Sequence, residues 1–256
     1  MTDELLIDIK DHIATLTLNR PKKKNSLSIN ILNGLKEFFT DLPEGVRCVV
    51  LRGMGEEAFS SGFDITTIGT LSPGDEVSII DGAYSALQNC PVPTIAYLNG
   101  YGFGAGCDLM VSCDFRIAHS RGKFGMPPAK LGVIYSFDGL ARFNSLVGPS
   151  KAKEIFLVGR YYSAQESYEM GLVSHVIDPQ EQEAYVYKMA TDIVNNAPLS
   201  VTGMKQMLIM ANKRQPLSAE DAANVDRIIT GVYTSEDMKE GKASFLEKRK
   251  PVFKGK

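Results

Sequence analysis

The feature that most constrains this chain is the stretch Asn99 to Asp108, NGYGFGAGCD, where glycine occupies positions 100, 102, 104 and 106 between an apolar strand pattern and a helical one. Glycine weakens strands and helices alike, so a run of it at a strand-to-helix turn marks a backbone that must come close to something else. A dinucleotide fingerprint is not met, because the residue three after Gly104 is Cys107 and the segment does not open the first strand-helix unit. A phosphate-binding P-loop would need a Gly-Lys-Ser/Thr that the stretch lacks. What remains is a helix start whose first N–H groups have no intrahelical partner and whose dipole end is positive, a site for negative charge developing on a substrate oxygen. The N–H of Ala105 is the candidate donor. Tight packing of helix on strand is the alternative use of the same glycines, and the run by itself does not choose between them.

Strand and helix patterns alternate on either side. Leu5 to Ile9 and Ile13 to Leu18 read as a hairpin turning at Asp11 and His12. Ser28 is placed to cap a helix that carries Ile29, Leu32, Leu35, Phe38 and Phe39 on one face. Arg47 to Arg52, Thr94 to Leu98 and Phe115 to Ala118 read as buried strands, with helices at about 75–89 and 104–113 between them, which puts the chain in the α/β class. Beyond Pro149 helices dominate, at 151–157, 164–170, 181–195, 199–212, 219–230 and 236–248. The expected division is a core over residues 1–198 and a helical region over 199–256.

Composition bounds the partners. A length of 256 residues is enough for one large core, and a formal net charge of −2 with a pI near 6.0 leaves no basic field for nucleic acid or an anionic membrane. No apolar run is long enough to span a bilayer, and the opening MTDELLIDIK lacks the basic and apolar regions of a signal peptide. Cys48, Cys90, Cys107 and Cys113 sit in apolar surroundings without metal or redox spacing, so they read as buried thiols of a cytoplasmic protein. His12, His119 and His175 have no metal or base partner in the sequence, and no Gly-x-Ser-x-Gly elbow supports a hydrolase triad.

Ala58 to Ile65, AFSSGFDI, follows the strand at 47–52 and a polar loop. A small-small-Gly turn leading into a short helix leaves the N–H of Phe63 free to face a cleft as a second donor, and Asp64 can cap that helix. Five segments together resemble, in order and spacing, the crotonase (enoyl-CoA hydratase/isomerase) superfamily: NRPKKKNSLS (19–28), AFSSGFDI (58–65), NGYGFGAGCDLMVSCD (99–114), KFGMPPAKLGV with GLARF (123–143) and EGKASFLEKRKPVFKGK (240–256). The resemblance covers essentially the whole chain. It implies a spiral of repeated ββα units, then a C-terminal helical region that builds homotrimers or dimers of trimers. It implies an oxyanion hole made by the N–H groups of Phe63 and Ala105, and an acyl-CoA thioester as substrate, with no permanently bound cofactor beyond the substrate's own coenzyme A. The coenzyme would be held by Lys22, Lys24, Ser60, Asp64 and Ile65, and by Phe245 and Lys248 reaching from a neighbouring subunit. The cations at 22–24 and 248–250 suit a phosphorylated nucleotide, although lysine runs are also ordinary solvated surface.

The reaction is where the pattern departs. Hydratases of the superfamily use two glutamates, one to activate water and one to protonate the α-carbon. Asp108 stands at the first position, and at the second stands Pro128, which can neither give nor take a proton. LGVIYSFDG (131–139) offers Tyr135, Ser136 and Asp138, and most resembles the matching stretch of methylmalonyl-CoA decarboxylases, where a tyrosine and an acid line the pocket. Decarboxylation relies on the oxyanion hole more than on an acid–base pair. The leading expectation is therefore a lyase that removes CO₂ from a methylmalonyl-CoA-like substrate, with Asp108 and Tyr135 as catalytic side chains. Those decarboxylases carry histidine where this chain has Phe63, which keeps the N–H and alters the pocket. The alternative is an enoyl-CoA hydratase or isomerase. A second alternative is a non-catalytic scaffold or RNA-binding paralogue, against which the glycine turn, Asp108 and the pI argue.

Overall fold

The computed structural model describes residues 3–64, 75–131 and 135–211, and beyond them 218–220, 223–224, 227, 231, 234–247 and 249–256. Strands β1 (Leu5–Lys10) and β2 (Ile13–Leu18) form the expected hairpin, with Asp11 and His12 both at positive φ in its turn. Ser28 caps α1 (Ile29–Thr40): its hydroxyl accepts the N–H of Ile31, and Ile31, Leu32, Leu35, Phe38 and Phe39 form the buried face.

From β3 onward one unit repeats. The first copy is β3 (Cys48–Gly53), β4 (Ala58–Ser60) and α2 (Asp75–Gln88); the second is β5 (Thr94–Leu98), β6 (Tyr101–Phe103) and α3 (Ala105–Val111); the third is β7 (Phe115–His119), β8 (Lys123–Gly125) and α4 (Phe137–Lys153). Each copy sends its first strand into one sheet and its second into another. The larger sheet runs β1-β2-β3-β5-β7-β10, where β10 is His175–Ile177, and is parallel except at the opening hairpin. The smaller runs β4-β6-β8-β9, closed by the antiparallel β9 (Tyr162–Ser163). This is the spiral of ββα units.

Both faces of the larger sheet are covered, which is why β3 and β5 read as continuous apolar runs and not as alternating ones. One core packs Leu16, Leu51, Phe59, Met110 and Phe124 among the two sheets and α1 to α3; each large side chain so buried contributes about 1.5–3 kcal/mol. The second core lies on the other face, where α6 (Gln182–Val194) lays Val186, Ala190 and Val194 against Cys48, Val50, Ile95 and Ile117. Further helices are α5 (Ala164–Glu169), α7 (Pro198–Ala211) and α8 (Glu236–Glu247). Buried Lys205 ties α7 to the core, donating to Asp114 Oδ2 at 2.6 Å and to the Val92 carbonyl at 2.8 Å.

Two segments differ from the sequence reading. Residues 58–60, read as part of a turn, are strand β4, while the short helix expected after Asp64 lies outside the described residues. The helix expected at 151–157 is the end of a longer one: α4 begins at Phe137, breaks at Gly148 (φ 76°) before Pro149, and passes into a π turn, Glu154–Val158. Of the helix expected at 219–230, residues 219–220, 223–224 and 227 are described, and they are helical. All four cysteines are buried and free, and among the described residues no helix is long and apolar enough to cross a membrane.

Candidate active site

Two backbone segments meet through glycine. Leu27 and Phe63 form an isolated parallel bridge in which the Leu27 N–H donates to Gly62 O at 2.8 Å and the Asp64 N–H donates to Leu27 O at 2.9 Å. That pattern turns the N–H of Phe63 to the opposite side. Gly62 has φ +104°, and a Cβ on it would lie 2.8 Å from the Phe103 carbonyl oxygen and 3.4 Å from the Ala105 nitrogen. Ala105 opens α3, so its N–H has no intrahelical acceptor. Neither N–H donates to an acceptor among the described residues. Gly106 is pressed onto β4, where a Cβ would come within 2.6 Å of Ser60 O. The glycines allow close packing, and that packing brings Gly62, next to Phe63, against the nitrogen of Ala105. Ser60 is fully buried, its hydroxyl accepting the Gly62 N–H at 3.2 Å, so it shapes this turn from beneath.

One turn into α3, on the same face as Ala105, Asp108 points into a buried polar network. Its Oδ1 accepts from Arg142 Nε at 2.9 Å, and its Oδ2 accepts from the second guanidinium nitrogen at 2.8 Å and from the Tyr135 hydroxyl at 3.0 Å. The fork geometry is that of an ionised pair. Arg142 also reaches Asp81 Oδ1 on α2 at 3.2 Å and lies over the Tyr84 ring, while the Tyr84 hydroxyl donates to the Ala105 carbonyl. Burial raises the pKa of Asp108, with the guanidinium opposing it. Burial also works against the charge of Arg142, but Asp108 outweighs it and raises that pKa. Tyr135 is pushed well above the usual phenol value, by burial first and then by the neighbouring carboxylate. Ser136 is the N-cap of α4, accepting the Gly139 N–H and donating to Asp81 Oδ1, both at 3.0 Å; Asp138 is exposed on the first turn. Sequence reasoning found Asp108 and Tyr135 and missed Arg142, Asp81 and Tyr84. The available signal was an arginine on a helix face otherwise made of Gly139, Phe143 and Leu146.

Residues 8–256 match the family described as enoyl-CoA hydratase/isomerase. The chain belongs to that family. It is 32% identical to a crotonyl-CoA hydratase of Syntrophomonas wolfei subsp. wolfei, with 98% of each chain covered, and 31% identical to a methylmalonyl-CoA decarboxylase of Escherichia coli K12, with 95% of each covered. The crystal structure of an enoyl-CoA hydratase from Bacillus anthracis superposes with a TM-score of 0.91 at 32% identity, over 99% of this chain and 100% of that one. The chain is thus an enzyme of the crotonase superfamily.

Within this family member, the residues expected to hold coenzyme A are only partly brought together. Asp64 is buried and paired with Arg20 at 2.7 Å and Lys23 at 3.4 Å. Lys22 is exposed; Lys24, in the left-handed region, pairs with Glu57, which raises its pKa through that hydrogen bond. The loop carrying these lysines is fixed by Asn25, whose amide donates to Met54 O at 3.0 Å and Ala58 O at 2.8 Å. Ile65 and Lys248 lie outside the described residues, and Phe245 falls in α8 with its side chain outside them. The chain's own tail turns toward the start of β3, where Arg47 donates to Phe253 O at 3.0 Å. Pro128 opens a 3₁₀ turn, Pro128–Leu131. Among the described residues no group of His, Cys, Asp and Glu is placed to hold a metal ion.

Proposed function

We propose that the protein hydrates, or shifts the double bond of, a short enoyl-CoA thioester. The observation that carries this reading is that the N–H groups of Phe63 and Ala105 have no acceptor among the described residues, with Gly62, next to Phe63, packed against the turn at 103–105. Two such donors stabilise the enolate-like oxygen that forms when a nucleophile adds at the β-carbon or a proton leaves the γ-carbon, and each is worth about 10²–10³ in rate. Asp108, one helical turn from Ala105, and Tyr135, whose hydroxyl donates to it, are the groups for the accompanying proton transfer. The named relatives favour enoyl-CoA chemistry over the decarboxylation expected from the sequence. In this reading coenzyme A lies along Lys22, Lys24, Ser60, Asp64 and Ile65, with Phe245 and Lys248 supplied by the next subunit of a trimer or a pair of trimers, and residues 199–256 form the oligomerising region of a cytoplasmic enzyme.

One observation favours a second reading. Pro128 occupies the place of the second hydratase carboxyl, and loss of CO₂ from a malonyl-type thioester needs no such acid. Incubating the purified protein with crotonyl-CoA and with methylmalonyl-CoA, followed by mass spectrometry, separates the two. Gain of water by crotonyl-CoA supports the first. Loss of CO₂ from methylmalonyl-CoA with no gain of water overturns it in favour of the second.

A further inference from the structure

Asp108 is completely buried, and three donors converge on its two oxygens, two from Arg142 and one from Tyr135. Because the carboxylate is held ionised by the guanidinium fork, the proton in the Tyr135–Asp108 bond is the tyrosine's own. A hydroxyl has one proton, so Tyr135 offers only lone pairs to anything else that approaches it. The ring cannot turn away freely. It lies across Gly139, where a Cβ would come within 2.5 Å of its Cδ1 and Cε1, and it packs on Phe156 with centroids 5.6 Å apart. Two carboxylates, Asp81 and Asp108, share Arg142, and among the described residues no second cation is bonded to either, so this cluster carries a net negative charge.

Resting on the hydratase reading above, we propose that Tyr135, not Asp108, is the residue that touches the attacking water, and that Arg142 is the positioning residue that fixes the polarity of that contact. The Tyr135 oxygen accepts a hydrogen bond from the water. As the water oxygen bonds to the β-carbon, its proton passes to Tyr135 while the tyrosine's proton passes to Asp108 Oδ2, and the π electrons move to the thioester oxygen between Phe63 and Ala105. The same path run backwards delivers the proton to the α-carbon, so water is added and every protein group returns to its starting state. One relay thereby replaces the two separate carboxyls, and the absence of an acid at Pro128 is accounted for. The same polarity disfavours an acyl group ending in a carboxylate, since neither Tyr135 nor the negative cluster behind it offers that group a donor.

The test compares wild type, Tyr135→Phe, Asp108→Asn, the double variant and Arg142→Lys in two assays, hydration of crotonyl-CoA and exchange of the α-protons of butyryl-CoA in D₂O. A relay predicts that Tyr135→Phe lowers kcat by about 10²-fold or more with KM within about threefold, and that the double variant is no slower than the slower single variant. Arg142→Lys, which keeps the charge but loses the fork, lowers kcat with little change in KM. Tyr135→Phe within about threefold of the wild-type kcat, or a double variant slower by the product of the single effects, overturns the relay. Tyr135→Phe removes only a hydroxyl, so this arm stands even if Asp108→Asn folds poorly. Wild-type protein that exchanges butyryl-CoA protons without hydrating crotonyl-CoA refutes the hydratase reading alone, and the exchange rates of the variants then decide the relay.

Discussion

Replacing Arg142 by glutamine removes both guanidinium contacts to Asp108 and the one to Asp81, and leaves a carboxylate with no exposed surface facing an amide. Breaking a buried ion pair by deleting one partner costs about 3–5 kcal/mol, which for a chain of this length lowers Tm by roughly 6–20 °C. The loss depends on pH with a definite sign. Burial already raises the Asp108 pKa and Arg142 opposes that rise, so without Arg142 it climbs further. A carboxyl whose folded pKa lies above its unfolded value binds its proton more tightly when folded; the stability this gives is complete below the unfolded pKa and is lost as pH rises through the folded one. The variant's deficit is therefore largest at neutral and higher pH and narrows as the pH is lowered from neutral, where the lone carboxyl takes up a proton. Calorimetric melts across that range, at one protein concentration, would include the double variant with Asp108→Asn, which recovers most of the deficit by removing the stranded charge. A deficit below about 1 kcal/mol at neutral pH, or one that grows on acidification, would refute this account of the pair.

Three further outcomes are expected. Gly62→Ala forces a Cβ to 2.8 Å from Phe103 O at φ +104°, displacing the Phe63 N–H; kcat for the thioester reaction falls about 10²-fold or more, read from initial rates beside a melt that confirms folding. Phe63→His keeps the backbone donor, so steady-state kcat on the best substrate stays within about tenfold while the ranking of acyl groups changes. Burial pushes Cys48 and Cys113 up to about 12 and raises Cys90 and Cys107 as well, so a thiol reagent at about pH 8 labels none of the four rapidly in native protein and all four after denaturation.

Much of the fold is legible in the sequence because its signals are local. The Ser28 cap, the hairpin at 5–18 and the apolar runs of β3, β5 and β7 are short-range patterns, and the elements stand close to where those patterns place them. Strands β4, β6 and β8 are three residues each, too short for any period to register, and glycine at 102 and 125 weakens their strand character further. They exist because the preceding strand of each unit delivers the chain to the same edge of the small sheet, which is a consequence of topology and not of propensity. The polar network was hidden for a related reason. Asp81, Asp108 and Arg142 come from three different helices, and a lone arginine between Ala141 and Phe143 gives no hint of a partner 34 residues upstream.

The backbone donors and the side chains beside them are constrained by different things. Gly62 and Gly106 are fixed by contacts with Phe103 O and Ser60 O, which belong to the packing of β4, β6 and α3 whatever reaction follows. A chain that keeps this fold therefore keeps Gly62 against the turn at 103–105, and motifs built on those glycines report the shared fold more directly than they report a reaction. Positions 108, 128 and 135 are where this chain departs from a pair of glutamates, and the packing of Asp108 and Tyr135 is with each other, Arg142, Gly139 and Phe156 rather than with those glycines. The short side chain at 108 matters in that light. A glutamate there would carry its carboxylate about 1.5 Å further from α3, out of register with a guanidinium whose Nε and terminal nitrogen both meet the aspartate below 3 Å. Shortening the acid by one methylene lets α4 clasp it, so that in the proposed relay Asp108 acts through the Tyr135 hydroxyl that donates to its Oδ2.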